Sequence, residues 1–161
     1  MTDLLRSLEQ ERAKFAFESV SQIKERDDKD LEKKYRSHVR GASTQILTNG
    51  LGNVLAFYQS KFERKIETLK DIENFVNSDN FNKLKPEARS YACIYYHLSK
   101  WLAGEGNIQI IVTKGNDTLH WIINNASSLE VLQATQETLA LLKWMSRFGQ
   151  AMLEEEKGKE E

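Results

Sequence analysis

A single proline, Pro86, stands in a chain of 161 residues that has only eight glycines. These two residue types stop helices and turn strands, so a chain nearly without them can run long helices but is poorly supplied for a many-turned β-sandwich. The apolar spacing agrees. Over 4–25, Leu5, Leu8, Ala16, Val20 and Ile23 fall on one helical stripe, with Thr2 or Asp3 available as a cap. The charged run at 25–30 reads as a connection whose aspartates can cap the next helix. That helix has the stripe Leu31, Tyr35, Val39, Ala42 and Ile46. Asn49-Gly50-Leu51-Gly52 then marks a break, after which Leu51, Leu55, Tyr58 and Phe62 resume the period. The same period predicts helix from 62 to 76 through Phe62, Ile66, Leu69 and Val76, and a polar loop at 78–82.

Pro86 suits a first helical turn, where its missing N–H costs nothing, and Tyr91, Tyr95, Leu98 and Leu102 come after it at helical spacing up to Gly104 or Gly106. Residues 108–113, Ile-Gln-Ile-Ile-Val-Thr, are strand-like but have no partner strand, so a short buried helix or an extended connector is expected. Asp117 can cap a short helix through Leu119 and Ile122. Ser127 and Glu130 form a capping-box pattern before the longest helix, in which Val131, Ala134, Thr138, Leu141, Met145, Phe148 and Met152 alternate spacings of three and four. The expected fold is all-α: a single-domain compact bundle of about six to seven helices, with the long C-terminal helix as its central packing element. Residues 1–153 are expected to form this one domain, and 154–161 an acidic, frayed tail.

Composition narrows the function. The chain is 40% hydrophobic and 29% charged, which is a globular rather than a disordered balance. Its lone Cys93 allows no internal disulfide and no cysteine-rich zinc site. No run is apolar enough to cross a membrane, and the N-terminus does not read as a signal peptide, so a reducing cytoplasm is the expected compartment. There is no phosphate-binding glycine loop, no H-E-x-x-H and no G-x-S-x-G. Cys93 and His97 are four apart and share a helix face. A thiolate–imidazole pair is the chemical reading, but a buried thiol beside a core-edge histidine fits the apolar surroundings better. His38 and His120 have no ligand partners at metal spacing. Trp101, Trp121 and Trp144 are of the type that stacks on bases, yet each lies in a hydrophobic helical stretch, so burial is expected for at least two. Neither an enzyme activity, a metal, a cofactor nor a small-molecule substrate is expected.

Charge is the informative feature. The whole chain has a formal charge of −1, but residues 33–62 contain Lys33, Lys34, Arg36, Arg40 and Lys61 and no acidic residue. Lys29, Lys33, Arg36 and Arg40 are spaced 4, 3 and 4, one stripe about 16 Å long opposite the apolar one. Such a stripe can follow a phosphate backbone, although an ordinary solvated helix face has the same look. With no base-reading signature, binding would be sequence-independent. Lys143 and Arg147, four apart on another acid-free stretch, are a second, weaker candidate.

Three segments carry a resemblance: LEQERAKFAFESV (8–20), DLEKKYRSHVRGASTQILTNGLGNVLAFYQSK (30–61) and LQATQETLALLKWMSRFGQAMLEEE (132–156). In order and content they resemble the small α-helical subunit of the type III-B CRISPR effector, the Cmr complex. Residues 62–128 match less, apart from YYHLSKWL (95–102). The resemblance implies a compact helical, non-catalytic protein of antiviral defence. It implies that several copies stack beside the large subunit and the RAMP-type backbone proteins, along the guide RNA and target RNA. Lys33, Lys34, Arg36 and Arg40 lie inside the best-matching segment, where Gly41 is expected to loosen the helix. A different class of function is also open, a helical adaptor that joins subunits without touching RNA. That reading expects apolar side chains such as Phe57, Phe75 or Phe81 to be exposed as an interface.

Overall fold

The computed structural model describes residues 2–104 and 116–156. Among them are eight helices: α1 (Thr2–Glu25), α2 (Lys29–Asn49), α3 (Leu51–Phe62), α4 (Leu69–Val76), α5 (Asp79–Asn82), α6 (Pro86–Leu102), α7 (Thr118–Asn124) and α8 (Ser128–Met152). No strand occurs among these residues, and one isolated antiparallel bridge pairs Thr68 with Asn116. None of the described helices is long and apolar enough to cross a membrane.

The caps follow the residue chemistry. Asp28 accepts a hydrogen bond from the Leu31 amide at 3.1 Å and so starts α2. Ser127 and Glu130 close the expected capping box on α8, at 3.1 and 2.8 Å. Thr68 and Asp71 close a second one on α4. Asp117 caps α7 through the His120 amide, and Pro86 opens α6. Gly50, at φ 88° and ψ 151°, separates α2 from α3 in a conformation that a Cβ would strain.

Two segments depart from the periodic reading. The helix expected over 62–76 breaks after Phe62, with Glu63 left-handed at φ 54°, and restarts at Leu69. The period carries across because Ile66, outside any helix, is still buried in the core. The loop expected at 78–82 contains the single turn α5, capped by Ser78, which drives Phe81 into the interior at 1% exposure. The alternatives raised for 108–113 lie outside the described residues.

The central element is α6 rather than α8. Every residue from Ser90 to Ser99 is buried, as are Trp101 and Leu102, so this helix is covered on all sides. It packs against α2, α3 and α4, while α8 packs against α1 and α2. The fold is thus two groups of helices that share α2. A stripe explains α2, whose buried residues include Leu31, Tyr35, Val39, Ala42 and Ile46. It does not explain α6, which also buries Ser90, His97 and Ser99.

An unpaired buried polar group costs about 1–3 kcal/mol, and apart from the Ser99 hydroxyl, which has no hydrogen-bond partner, the fully buried polar side chains of α6 are paired. Trp101 Nε1 donates to Glu137 on α8 at 2.9 Å. Glu137 also takes the Arg12 guanidinium from α1 in a bidentate pair, at 2.7 and 2.8 Å. Tyr95 donates to Asp117 at 2.6 Å, and Tyr96 to Glu73 of α4 at 3.2 Å. His97 sits between Tyr35 of α2, whose hydroxyl donates to Nδ1 at 2.7 Å, and the side-chain carbonyl of Gln22 of α1, which accepts from Nε2 at 3.2 Å. That arrangement holds the ring neutral.

Burial pushes the His97 imidazole down from 6.5 to about 3, and the charges of Lys100 and Arg26 add to the effect. The unfolded chain takes up this proton near its ordinary value and the folded chain only near 3. The folded state therefore loses stability as pH falls from about 6.5 toward 3, at about 1.4 kcal/mol per unit from this group. Urea denaturation of the protein and of His97→Gln across this range measures it. The variant is expected to be less stable at neutral pH, and the gap to narrow steadily as pH falls. Parallel curves would contradict the assignment.

Candidate nucleic-acid interface

The basic stripe of α2 is present, but the chain itself occupies half of it. After α8 ends, Leu153 is buried and 154–156 run back along α2. The Leu153 carbonyl accepts from Arg36 Nη1 at 3.1 Å. The Glu154 amide donates to Glu32, a carboxylate with 1% exposure, at 3.1 Å. Lys24 and Lys29 flank that same carboxylate at 3.8 and 3.9 Å. Three side-chain pairs complete the contact: Lys29–Glu154 at 3.8 Å, Lys34–Glu156 at 3.0 Å and Arg36–Glu155 at 4.0 Å. Lys33, Arg36, Arg40, Glu155 and Glu156 line one small hollow of about 90 Å³. Where a frayed end is expected from 154 onward, 154–156 lie on the helix; residues 157–161 are outside the described part.

The other end of the stripe is open. Arg40 faces a groove of about 690 Å³ between α2 and α8, and Lys143 and Arg147 line its far wall. One member of the α2 stripe, Arg40, therefore meets the second set of cations, Lys143 and Arg147, in one place. All three are exposed, and no carboxylate is among the residues that line the groove. The floor is apolar, from Val39 and Leu142, and Ser43, Ser146 and Gln150 add neutral hydrogen-bonding groups. Among the described residues, Lys33, Arg40 and Arg147 make no ion pair. Lys143 helps to stabilise the Glu9 carboxylate, which is held below its usual range chiefly by the Trp144 indole N–H at 3.2 Å, with Arg12 also contributing. Three like charges around an open apolar floor repel one another, and a polyanion relieves that repulsion.

Why the groove forms is visible in the helix faces. Val39 and Ala42 turn the buried side of α2 inward, which leaves Arg40, Ser43 and Leu47 at its margin, and Leu47 is 72% exposed. Leu141, Leu142 and Met145 do the same for α8, leaving Lys143, Ser146, Arg147 and Gln150 outward. Ser43, Ser146 and Gln150 were not singled out in the sequence. They accompany the charged residues at helical spacing, a signal that has meaning only once α2 and α8 are known to be neighbours.

The remaining candidates are structural. Cys93 is buried, and burial pushes its thiol up to about 12, which removes the thiolate chemistry depends on. His38 hydrogen-bonds Ser90 at 2.8 Å and stacks on Tyr91 at 4.0 Å. Trp101 and Trp121 are buried, as expected for at least two of the three, and the half-buried Trp144 stacks on Phe148 at 6.0 Å. Of the phenylalanines that an adaptor surface would expose, Phe75 and Phe81 are buried and Phe57 is 41% exposed. Among the described residues no group of three potential metal ligands comes together.

A small, all-helical protein with a cationic groove between two of its long helices is the class these features define. A family model described as CRISPR-associated protein (Cas_Cmr5) matches residues 8–152, and the chain belongs to that family, the small subunit of the CRISPR Cmr-type complex. Membership brings with it association with other Cmr subunits.

Gly41 is next to Arg40 and sits inside α2, which runs through it unbroken. A Cβ there would meet nothing within 4 Å. Gly41→Ala is therefore expected to raise stability by about 0.5–1 kcal/mol, by removing the cost of fixing a glycine in a helix. Thermal or urea denaturation reads this directly, and a loss of stability would show that the position is not the free helical site described.

Proposed function

We propose that this chain is a non-catalytic, RNA-contacting subunit of the Cmr effector, stacked in several copies beside the large subunit and along the guide–target RNA. Its work is electrostatic: Arg40, Lys143 and Arg147 take backbone phosphates across the groove, with Lys33 adjacent. The observation that carries this reading is the convergence of those three cations from two helices around a groove without a carboxylate. Each phosphate contact releases condensed counterions, so binding should weaken steeply with salt and be indifferent to sequence. Base pairing between guide and target carries sequence information in a guided complex, so this subunit has none to read. Few contacts per copy make the lone subunit a weak binder that gains from repetition along the strand.

A second reading, an adaptor that joins subunits without touching RNA, draws support from a different place. Ile123, Leu129 and Leu132, near the junction of α7 and α8, are 69%, 63% and 52% exposed. Large apolar side chains in such a position suit a protein partner.

One comparison separates the two. Arg40→Glu/Lys143→Glu/Arg147→Glu is measured for binding of a single-stranded RNA at several salt concentrations, and for incorporation into the reconstituted complex. The proposal expects RNA binding to fall at least tenfold with a shallower salt dependence, by about 0.7 in slope per lost contact, while incorporation persists. Unchanged RNA binding together with normal incorporation would leave the adaptor reading in its place.

A further inference from the structure

The acidic segment after α8 lies on cations that would otherwise extend the groove. Lys33, Arg36 and Arg40 line one hollow with Glu155 and Glu156, and the same α2 face continues from Arg40 into the larger groove. The segment is held unevenly. Leu153 is buried and its carbonyl is bonded to Arg36, and the Glu154 amide is bonded to the buried Glu32, so the chain is anchored up to that point. Beyond it, Glu155 and Glu156 reach α2 through side-chain ion pairs at 4.0 and 3.0 Å, and Glu155 is 68% exposed. The long Arg36–Glu155 pair, with its carboxylate largely in water, is weak and screened by salt, while the shorter Lys34–Glu156 pair is part-buried, with Glu156 23% exposed. A backbone-bonded anchor with carboxylates beyond it that reach the cationic face of α2 through their side chains is the arrangement of a built-in competitor.

We propose that Glu155 and Glu156 act as an intramolecular stand-in for phosphate. In the free subunit they cover Lys33, Lys34 and Arg36, confining RNA to the Arg40–Lys143–Arg147 groove. A strand of sufficient length displaces them and then runs on along α2. The carboxylates neutralise the stripe while no RNA is present and yield it when a denser polyanion arrives. This inference rests on the RNA reading above, and its occupant is a single-stranded RNA backbone.

The test compares the full chain with Glu155→Gln/Glu156→Gln, which keeps the Leu153 and Glu154 anchors. Fluorescence anisotropy with a labelled oligouridylate is measured across a salt series. The same change of net charge at Glu63 and Glu67, exposed carboxylates in the segment after α3, controls for a general electrostatic gain. Freeing two phosphate contacts should steepen the salt slope by about 1.4 and tighten binding roughly tenfold at low salt. Adding Lys33→Glu/Lys34→Glu to the tail variant should cancel the gain, and circular dichroism confirms that each variant is folded. If the tail variant matches the full chain, or the Glu63/Glu67 control gains as much, the competitor role is overturned while groove binding stands. If neither chain binds the RNA at low salt, the competitor role and the RNA reading fall together.

Discussion

Burying α6 on every side is the constraint on which the rest of the structure depends. A helix with one wet face can leave its polar side chains in water, but α6 has no such face from Ser90 to Ser99. Apart from the Ser99 hydroxyl, its fully buried polar side chains are paired within the protein, and these pairings fix the positions of other helices. His97 ties α6 to Tyr35 of α2 and Gln22 of α1, Tyr96 to Glu73 of α4, Tyr95 to Asp117 at the head of α7, and Trp101 to Glu137 of α8. Apolar packing supplies most of the stability and tolerates small shifts; these bonds are directional and do not. They set the register of the helices around α6, and through α1, α2 and α8 they set the groove.

The groove results from how α2 is shared. One side of this helix faces α6 and another faces α8, so the stripe of cations is left at the seam where α2 and α8 diverge toward solvent. The same seam receives the chain as it leaves α8. One end of the stripe is therefore satisfied internally, by the Leu153 carbonyl and the carboxylates of 154–156, and the other end is not. That asymmetry gives the surface a direction along α2.

Much of this was legible in the sequence, and the reasons are local. Asp28, Asp117, Ser127 with Glu130, and Pro86 mark helix starts because capping is decided within three or four residues. Leu31, Tyr35, Val39, Ala42 and Ile46 mark a buried stripe because one face of α2 is wet. The departures are tertiary. Ile66 keeps the helical period while lying in an irregular segment, since burial rather than backbone conformation selects an apolar residue. Phe81 is buried by a single turn too short to show a period. The role of α6 could not be read from Tyr91, Tyr95, Leu98 and Leu102 alone, because Ser90, His97 and Ser99 look like solvent-facing residues until the helices that cover them are known. Of the candidate site, each basic residue was visible, but that Arg40 belongs with Lys143 and Arg147, while Lys34 and Arg36 pair with 154–156, depends on which helices meet.

The central claim is that RNA runs through the seam between α2 and α8. Ultraviolet cross-linking of the reconstituted effector on its target RNA, with mass spectrometry of the RNA-bound peptides of this subunit, tests it most directly. The account predicts cross-links on peptides spanning Arg40–Leu47 and Lys143–Gln150. Cross-links confined to other surfaces, with the exposed corner at Ile123, Leu129 and Leu132 as the plainest case, would contradict it.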